Sequence, residues 1–239
     1  MSLPFFYKED IDLTTTTVVL DEDTSKHIVQ VLRMKNGEQL QLTNGKGVLF
    51  TATITDDNRK KCGVKILTTD HRPQTTKNIT IAISLVKNNT RFEWFLEKAT
   101  EIGVTEIIPL LCERTEKTAF KMERMKSILV SAMLQSQQSW LPVLSEPVKY
   151  IQYIKNVQDD NAVQKFIAHC IDEESKRQLT SIPINQLTNK LILIGPEGDF
   201  TKEEIAAALQ NSFIPVALGN TRLRTETSGM VAATVLKLV

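Results

Sequence analysis

The sequence predicts an α/β protein in two parts, a small β-barrel followed by a larger α/β domain on a mostly parallel sheet. Three observations carry this reading. Residues 1–72 hold four short β-branched or alternating runs and one helical stretch. From residue 73 onward strand and helix patterns take turns, as a parallel sheet with crossover helices requires. Between them, Asp70-His71-Arg72-Pro73-Gln74-Thr75-Thr76 is polar and carries a proline, so the division falls at 1–72 and 73–239.

In the front part, Thr16–Leu20, Glu38–Leu42, Val48–Ile54 and Gly63–Leu67 read as strands. Asn44-Gly45-Lys46-Gly47 and Asp56-Asp57-Asn58 are their turns. One helix places Ile28, Val31 and Leu32 on a common face, with Asp21 or Thr24 as its cap. Closing such short strands into a barrel removes exposed edges.

In the second part, Ile79–Val86 is a buried strand, and Phe92, Phe95, Ala99 and Ile102 form a helix stripe ended by Gly103. Strand Glu106–Leu111 and helix Phe120–Gln137 come next. Phe166–Ile171, Lys190–Ile194 and Phe213–Leu218 are further strands. Thr201-Lys202-Glu203-Glu204 is a capping box opening a helix. Thr227–Val239 is a nearly uncharged final helix with Val231, Val235 and Leu238 on one face. That face suits either core packing or a subunit interface, with Ala232 and Ala233 allowing close approach.

With 239 residues, 41% hydrophobic and 24% charged, the chain is long and apolar enough for a sizeable core. Lys+Arg 29 against Asp+Glu 28 excludes a broad basic coat, so any RNA contact is a local patch. Cys62, Cys112 and Cys170 show no paired spacing, which suits a reducing cytoplasm. The three histidines have no metal-ligand spacing, and no apolar run approaches membrane-spanning length.

Two strand-to-helix loops stand out, because open α/β sheets place ligands there. Ile194-Gly195-Pro196-Glu197-Gly198-Asp199 lacks the Gly-Lys-Ser/Thr of a phosphate loop, and its acids would repel phosphate. It is either a tight capped turn or a cradle for a neutral or cationic ligand. Leu218-Gly219-Asn220-Thr221-Arg222-Leu223-Arg224-Thr225-Glu226-Thr227 packs charges and hydroxyls between an apolar strand and an apolar helix. Thr225 or Thr227 as helix cap and an Arg224–Glu226 ion pair are its plain structural account; ordering so many polar groups beside a buried strand also suits a ligand.

These loops resemble those of the RsmE family of ribosomal RNA methyltransferases, in the SPOUT superfamily. The similarity rests on Gly195-Pro196-Glu197-Gly198 with its Thr-x-x-Glu helix start, Leu218-Gly219, and Leu223-Arg224-Thr225-Glu226-Thr227. It extends through Glu97–Val104, Pro109, Glu113-Arg114, Ala132, Gln135-Ser136 and Pro142, and through Lys26–Gly37 in the front part. Three positions depart from the family pattern. Pro4-Phe5-Phe6-Tyr7 carries no arginine, Gln138 stands where arginine is common, and Asp199 replaces a second glycine.

The resemblance implies a SPOUT-type trefoil-knotted α/β domain behind a PUA-like β-barrel that binds RNA, assembled as a homodimer. It implies S-adenosyl-L-methionine as cofactor and methylation of N3 of a uridine in 16S ribosomal RNA, on an assembled or partly assembled small subunit. Carried over by position, Ala168, His169, Ile194, Gly195, Pro196, Glu197, Gly198, Leu218, Gly219, Leu223, Arg224 and Thr225 would hold the cofactor. His169 also fits a buried structural histidine. Arg224 would stabilise the uracil anion, and Glu226 or Glu197 would take the proton. Arg33, Lys35 and Arg114 would contact RNA. A non-catalytic RNA-binding or ribosome-assembly protein retaining the fold is the alternative, since the first two departures fall in RNA-facing regions.

Overall fold

The computed structural model describes residues 3–73, 78–157, 162–171, 176–183 and 189–238. They group into two compact units, Met1–Gln74 with Met133–Leu141, and Thr75–Ala132 with Pro142–Val239.

In the front unit β1 (Phe5–Tyr7), β2 (Thr17–Val19), β3 (Gln39–Thr43), β4 (Val48–Asp56) and β5 (Gly63–His71) form one sheet in the order β1-β3-β4-β5-β2. β1 joins β3 in parallel; the remaining pairs are antiparallel. Alternation along the strands buries Leu40, Leu42, Phe50, Ala52, Ile54 and Val64 in one core with Ile28 and Cys62. β5 runs on to His71, into the polar stretch where the sequence places the division. Gly47, at φ 81°, has no room for a side chain because a Cβ would overlap the Trp140 indole.

The front helix departs from its sequence reading. α1 (Glu22–Lys26) is capped by Asp21, which accepts from Thr24 N at 2.9 Å, so Thr24 is not the cap. The chain then widens into a π-helical turn, His27–Val31, with Leu32 N donating to His27 O. The extra residue in that turn rotates the residues after it off the 3.6-residue period. Ile28 is buried, but Val31 is 67% and Leu32 42% exposed, so the expected common face does not form.

The second unit contains β6 (Ile79–Ser84), α2 (Asn89–Ile102), β7 (Glu106–Leu111), the start of α3 (Met122–Gln135), β8 (Val143–Leu144), β9 (Val148–Lys149), α4 (Tyr150–Asn156), β10 (Val163–Ala168), β11 (Arg177–Gln178), β12 (Asn189–Ile194), α5 (Lys202–Gln210), β13 (Ile214–Ala217) and α6 (Thr225–Leu238). Its sheet runs β11-β13-β10-β12-β6-β7-β8, with β9 also on β7, and every pairing is parallel. Central strands buried on both faces explain the continuous apolar runs Ile81–Ile83 and Leu191–Ile194. Gly103 ends α2 at φ 88°, and Thr201 with Glu204 forms the capping box of α5.

Small residues let α6 lie close against α2 and β6. Gly229, Ala232, Ala233 and Leu236 face inward. A Cβ on Gly229 would meet Phe95 Cε2 at 2.6 Å and Ile83 Cδ1 at 2.9 Å. At the far end of α6 the fully buried Lys190 of β12 donates from Nζ to Leu236 O at 3.3 Å, its cation placed on the negative end of the helix. Val231 and Val235 are half-buried and Leu238 is 80% exposed, so the face read as apolar points away from this core.

Candidate active site

β13, β10 and β12 are neighbours, all pointing the same way, and Ala168 pairs with both Ile194 and Val216. Their carboxyl ends therefore open side by side, where ligands bind in α/β sheets. The three exits surround a cleft of ≈ 850 Å³, a size that suits a small-molecule ligand.

The loop after β12 is fixed from several sides. Thr225 Oγ1, buried at the start of α6, donates to Gly195 O at 3.0 Å and ties the two C-terminal loops together. Glu197 Oε1 accepts from Lys87 N at 2.9 Å, beyond the end of β6. Asp199 accepts from Cys170 N at 2.8 Å through Oδ2 and from Phe200 N at 2.9 Å through Oδ1, joining this loop to the exit of β10. Arg114, beyond β7, donates from Nη1 to Gly198 O at 2.7 Å. Glu204 accepts from Thr201 N and from Glu113 N, both at 2.9 Å.

The loop after β13 is open by comparison. Gly219 has φ 134°, a region that disfavours side chains, and a Cβ there would meet open space. Asn220 Oδ1 accepts from Gln178 Nε2 at 3.0 Å. Ile194, Leu218 and Leu223 give the cleft apolar walls, while Glu197 and Asp199 give it negative charge. Arg224 is exposed at the rim and, among the described residues, forms no ion pair.

The structure brings most of the expected cofactor residues together. Ala168, His169, Gly195 and Pro196 line the cleft with the residues just named, and so does Thr225. Two expected residues lie elsewhere. Gly198 is off the lining, because its carbonyl turns toward Arg114. Glu226 is also off it: it is buried, and its partner is Arg91 of α2 at 3.7 Å, not Arg224. Residue 226, two positions on and inside the helix, faces α2, while Arg224, ahead of the helix, stays outside. Thr225 is the first residue of α6, so its hydroxyl serves Gly195 rather than capping the helix. Arg33, at φ 58°, and Lys35 are exposed on the front unit, and Lys35 Nζ lies 3.7 Å from Asp57.

Several lining residues are not among the expected site residues: Cys170, Lys176 and Gln178, and, within the second loop, Asn220 and Arg222. Cys170 directly succeeds His169 within the expected strand Phe166–Ile171, where a lone cysteine gives no sign of a site. Lys176 precedes β11 and Gln178 is its second residue, in a strand too short for any periodicity. Among the described residues no group of His, Cys, Asp or Glu is placed to hold a metal ion, and no helix is long and apolar enough to cross a membrane.

The family described as "RNA methyltransferase domain" matches residues 73–237. The chain belongs to this RNA methyltransferase family. Residues 20–67 of the methyltransferase match the companion "RNA methyltransferase PUA domain". Its fold is that of a SPOUT methyltransferase behind a PUA-like β domain. A crystal structure titled "probable rRNA-methyltransferase" from Porphyromonas gingivalis is 38% identical, with 99% of both chains covered and a TM-score of 0.89. The ribosomal RNA small subunit methyltransferase E of Neisseria gonorrhoeae, solved bound to S-adenosyl methionine, is 28% identical, covering 99% of this chain and 98% of that one at a TM-score of 0.87. The protein of the same name from Rickettsia conorii is 28% identical over 225 residues, 93% of this chain and 90% of its own.

Proposed function

We propose that the enzyme uses S-adenosyl-L-methionine to methylate N3 of a uridine in 16S, small-subunit ribosomal RNA. The Thr225–Gly195 hydrogen bond carries the reading, because it draws both C-terminal loops around one cleft. A relative of the same fold solved with S-adenosyl methionine supports the choice of ligand. The residues present fit that cofactor. Ile194, Leu218 and Leu223 offer apolar surface for a purine, and Gly219 leaves its backbone open to close approach. Ala168, His169, Pro196 and Thr225 complete the walls, with backbone groups of Gly195, Leu218, Gly219 and Leu223 available to adenine and ribose. Glu197 and Asp199 complement a positive ligand.

The cofactor supplies a sulfonium methyl, already a good electrophile, for in-line displacement, so the protein's task is positioning. Uridine N3 must lose its proton, and Arg224 at the rim stabilises the resulting imide anion by charge-assisted hydrogen bonding. The proton passes to Glu197, the carboxylate on the lining, directly or through water. Glu226 serves instead through Arg91, fixing the first turn of α6 that directly follows Arg224.

Arg33 and Lys35 on the PUA-like unit supply RNA phosphate contacts, on an assembled or partly assembled particle. The enzyme works as a cytoplasmic homodimer with a trefoil-knotted C-terminal segment, and the outward residues of α6 support the pairing. Calorimetry with the cofactor, then mass mapping of small-subunit RNA methylated in vitro, tests the reading. Cofactor binding with one new N3-methyluridine is expected; the absence of both would refute the reading. Arg224→Ala should lower turnover about 10²–10³-fold, as loss of a transition-state donor does, while leaving cofactor affinity nearly unchanged. Full activity in that variant would remove Arg224 from the chemistry.

A further inference from the structure

We infer that Arg114 is a positioning residue for the cofactor-side loop rather than a contact for RNA. This rests on the methyltransferase reading and assigns a part of the machinery that the cleft lining does not reveal. The Gly198–Asp199 peptide is held at both ends. Its carbonyl accepts from Arg114 Nη1 at 2.7 Å, and its N–H donates to Pro196 O at 2.9 Å, closing a tight turn over Glu197. Asp199 itself has φ 63°, left-handed for a residue with a side chain. Such a backbone persists only where its surroundings over-determine it. Here the determinants are Arg114 on one side and Cys170 N, bonded to Asp199, on the other.

Packing reinforces the hydrogen bond. The aliphatic stem of Arg114 lies against Gly198, where an added Cβ would come within 3.3 Å of Arg114 Cδ. The preceding residue, Glu113, grips the same region by donating its N–H to Glu204 of the α5 capping box at 2.9 Å. Two consecutive residues beyond β7 thus hold the loop and the helix start behind it. Without the guanidinium, the Gly198–Asp199 peptide loses one of its two holds, so the cleft wall at Pro196 and Asp199 is less firmly set, while Glu197 keeps its bond to Lys87 N.

The test compares wild type, Arg114→Met, which keeps the stem but not the donor, and Arg114→Lys, which keeps a cationic donor. Calorimetry with S-adenosylhomocysteine reads affinity without turnover, and steady-state kinetics on under-methylated small subunits separates the two substrates. Loss of one charged, partly solvated hydrogen bond should weaken Arg114→Met binding by about three- to tenfold. KM for S-adenosylmethionine should rise in step, with kcat and KM for the particle little changed. Arg114→Lys should recover most of the affinity. Unchanged S-adenosylhomocysteine affinity in Arg114→Met, with a raised KM for the particle, would overturn the inference and make Arg114 an RNA contact. Failure of the wild type to bind S-adenosylhomocysteine would instead strike the underlying methyltransferase reading, and the inference with it.

Discussion

Asp199 shows how one side chain replaces a glycine. It stands where the resembled family has a second glycine, and its φ of 63° shows why glycine suits that place. Aspartate tolerates the left-handed region better than most residues. Its carboxylate then bonds Cys170 N and Phe200 N, fastening the β10 exit to the β12 loop. The three cysteines differ as sharply. Burial, then the nearby Glu204 carboxylate, pushes the Cys112 thiol up to about 12, and burial raises Cys62 as well. Both thiols therefore stay protonated and shielded near neutral pH, whereas Cys170 is exposed on the cleft lining. Alkylation of the native enzyme at pH 8 should modify Cys170 alone, and S-adenosylhomocysteine should slow that reaction. Peptide mass mapping checks both; labelling of Cys112, or no protection of Cys170, would contradict the cleft as described.

At the scale of elements, the tie between the two C-terminal loops is the contact to cut. Thr225→Val keeps the side-chain shape but leaves the Gly195 carbonyl without its donor, at a cost of about 1–3 kcal/mol for a buried unpaired group. The expected result is a lower Tm and weaker cofactor binding together, read by calorimetry; a fall in Tm alone would mean that the tie braces the fold without shaping the cleft. Long periodic elements such as β6, α2, β7 and α6 were legible in the sequence because burial repeats along them. β8, β9 and β11 have two residues each, and the seven-residue α4 has little more room for a pattern. The π-helical turn defeated the face drawn through Ile28, Val31 and Leu32, because one inserted residue shifts the phase. Within the site, Gly195, Leu218 and Thr225 were readable from two adjacent motifs. The partners of Glu226 and Gly198, Arg91 and Arg114, were not, since each lies far away in sequence on another element.

At the scale of the whole molecule, the prediction concerns assembly. Leu238 leaves 80% of its surface in solvent, at the end of a helix whose opposite side is packed tightly by Gly229, Ala232 and Ala233. Leu238 continues the face of the half-buried Val231 and Val235, so it is the place to test the proposed pairing. Leu238→Asp should convert a dimer into monomers in light scattering and reduce activity, while the Tm of the monomer changes little. A monomeric wild type, or a dimer indifferent to the charge, would contradict the proposed pairing. The same helix is anchored twice, by Thr225 to the loop after β12 and by its Leu236 carbonyl to the buried ammonium of Lys190. A helix advances about 100° per residue, so inserting or deleting a single residue between the anchors would swing one of them out of reach. The stretch from 225 to 236 therefore behaves like a keyed shaft cut to length: a whole added turn would nearly restore the angle but push one anchor about 5.4 Å along the axis.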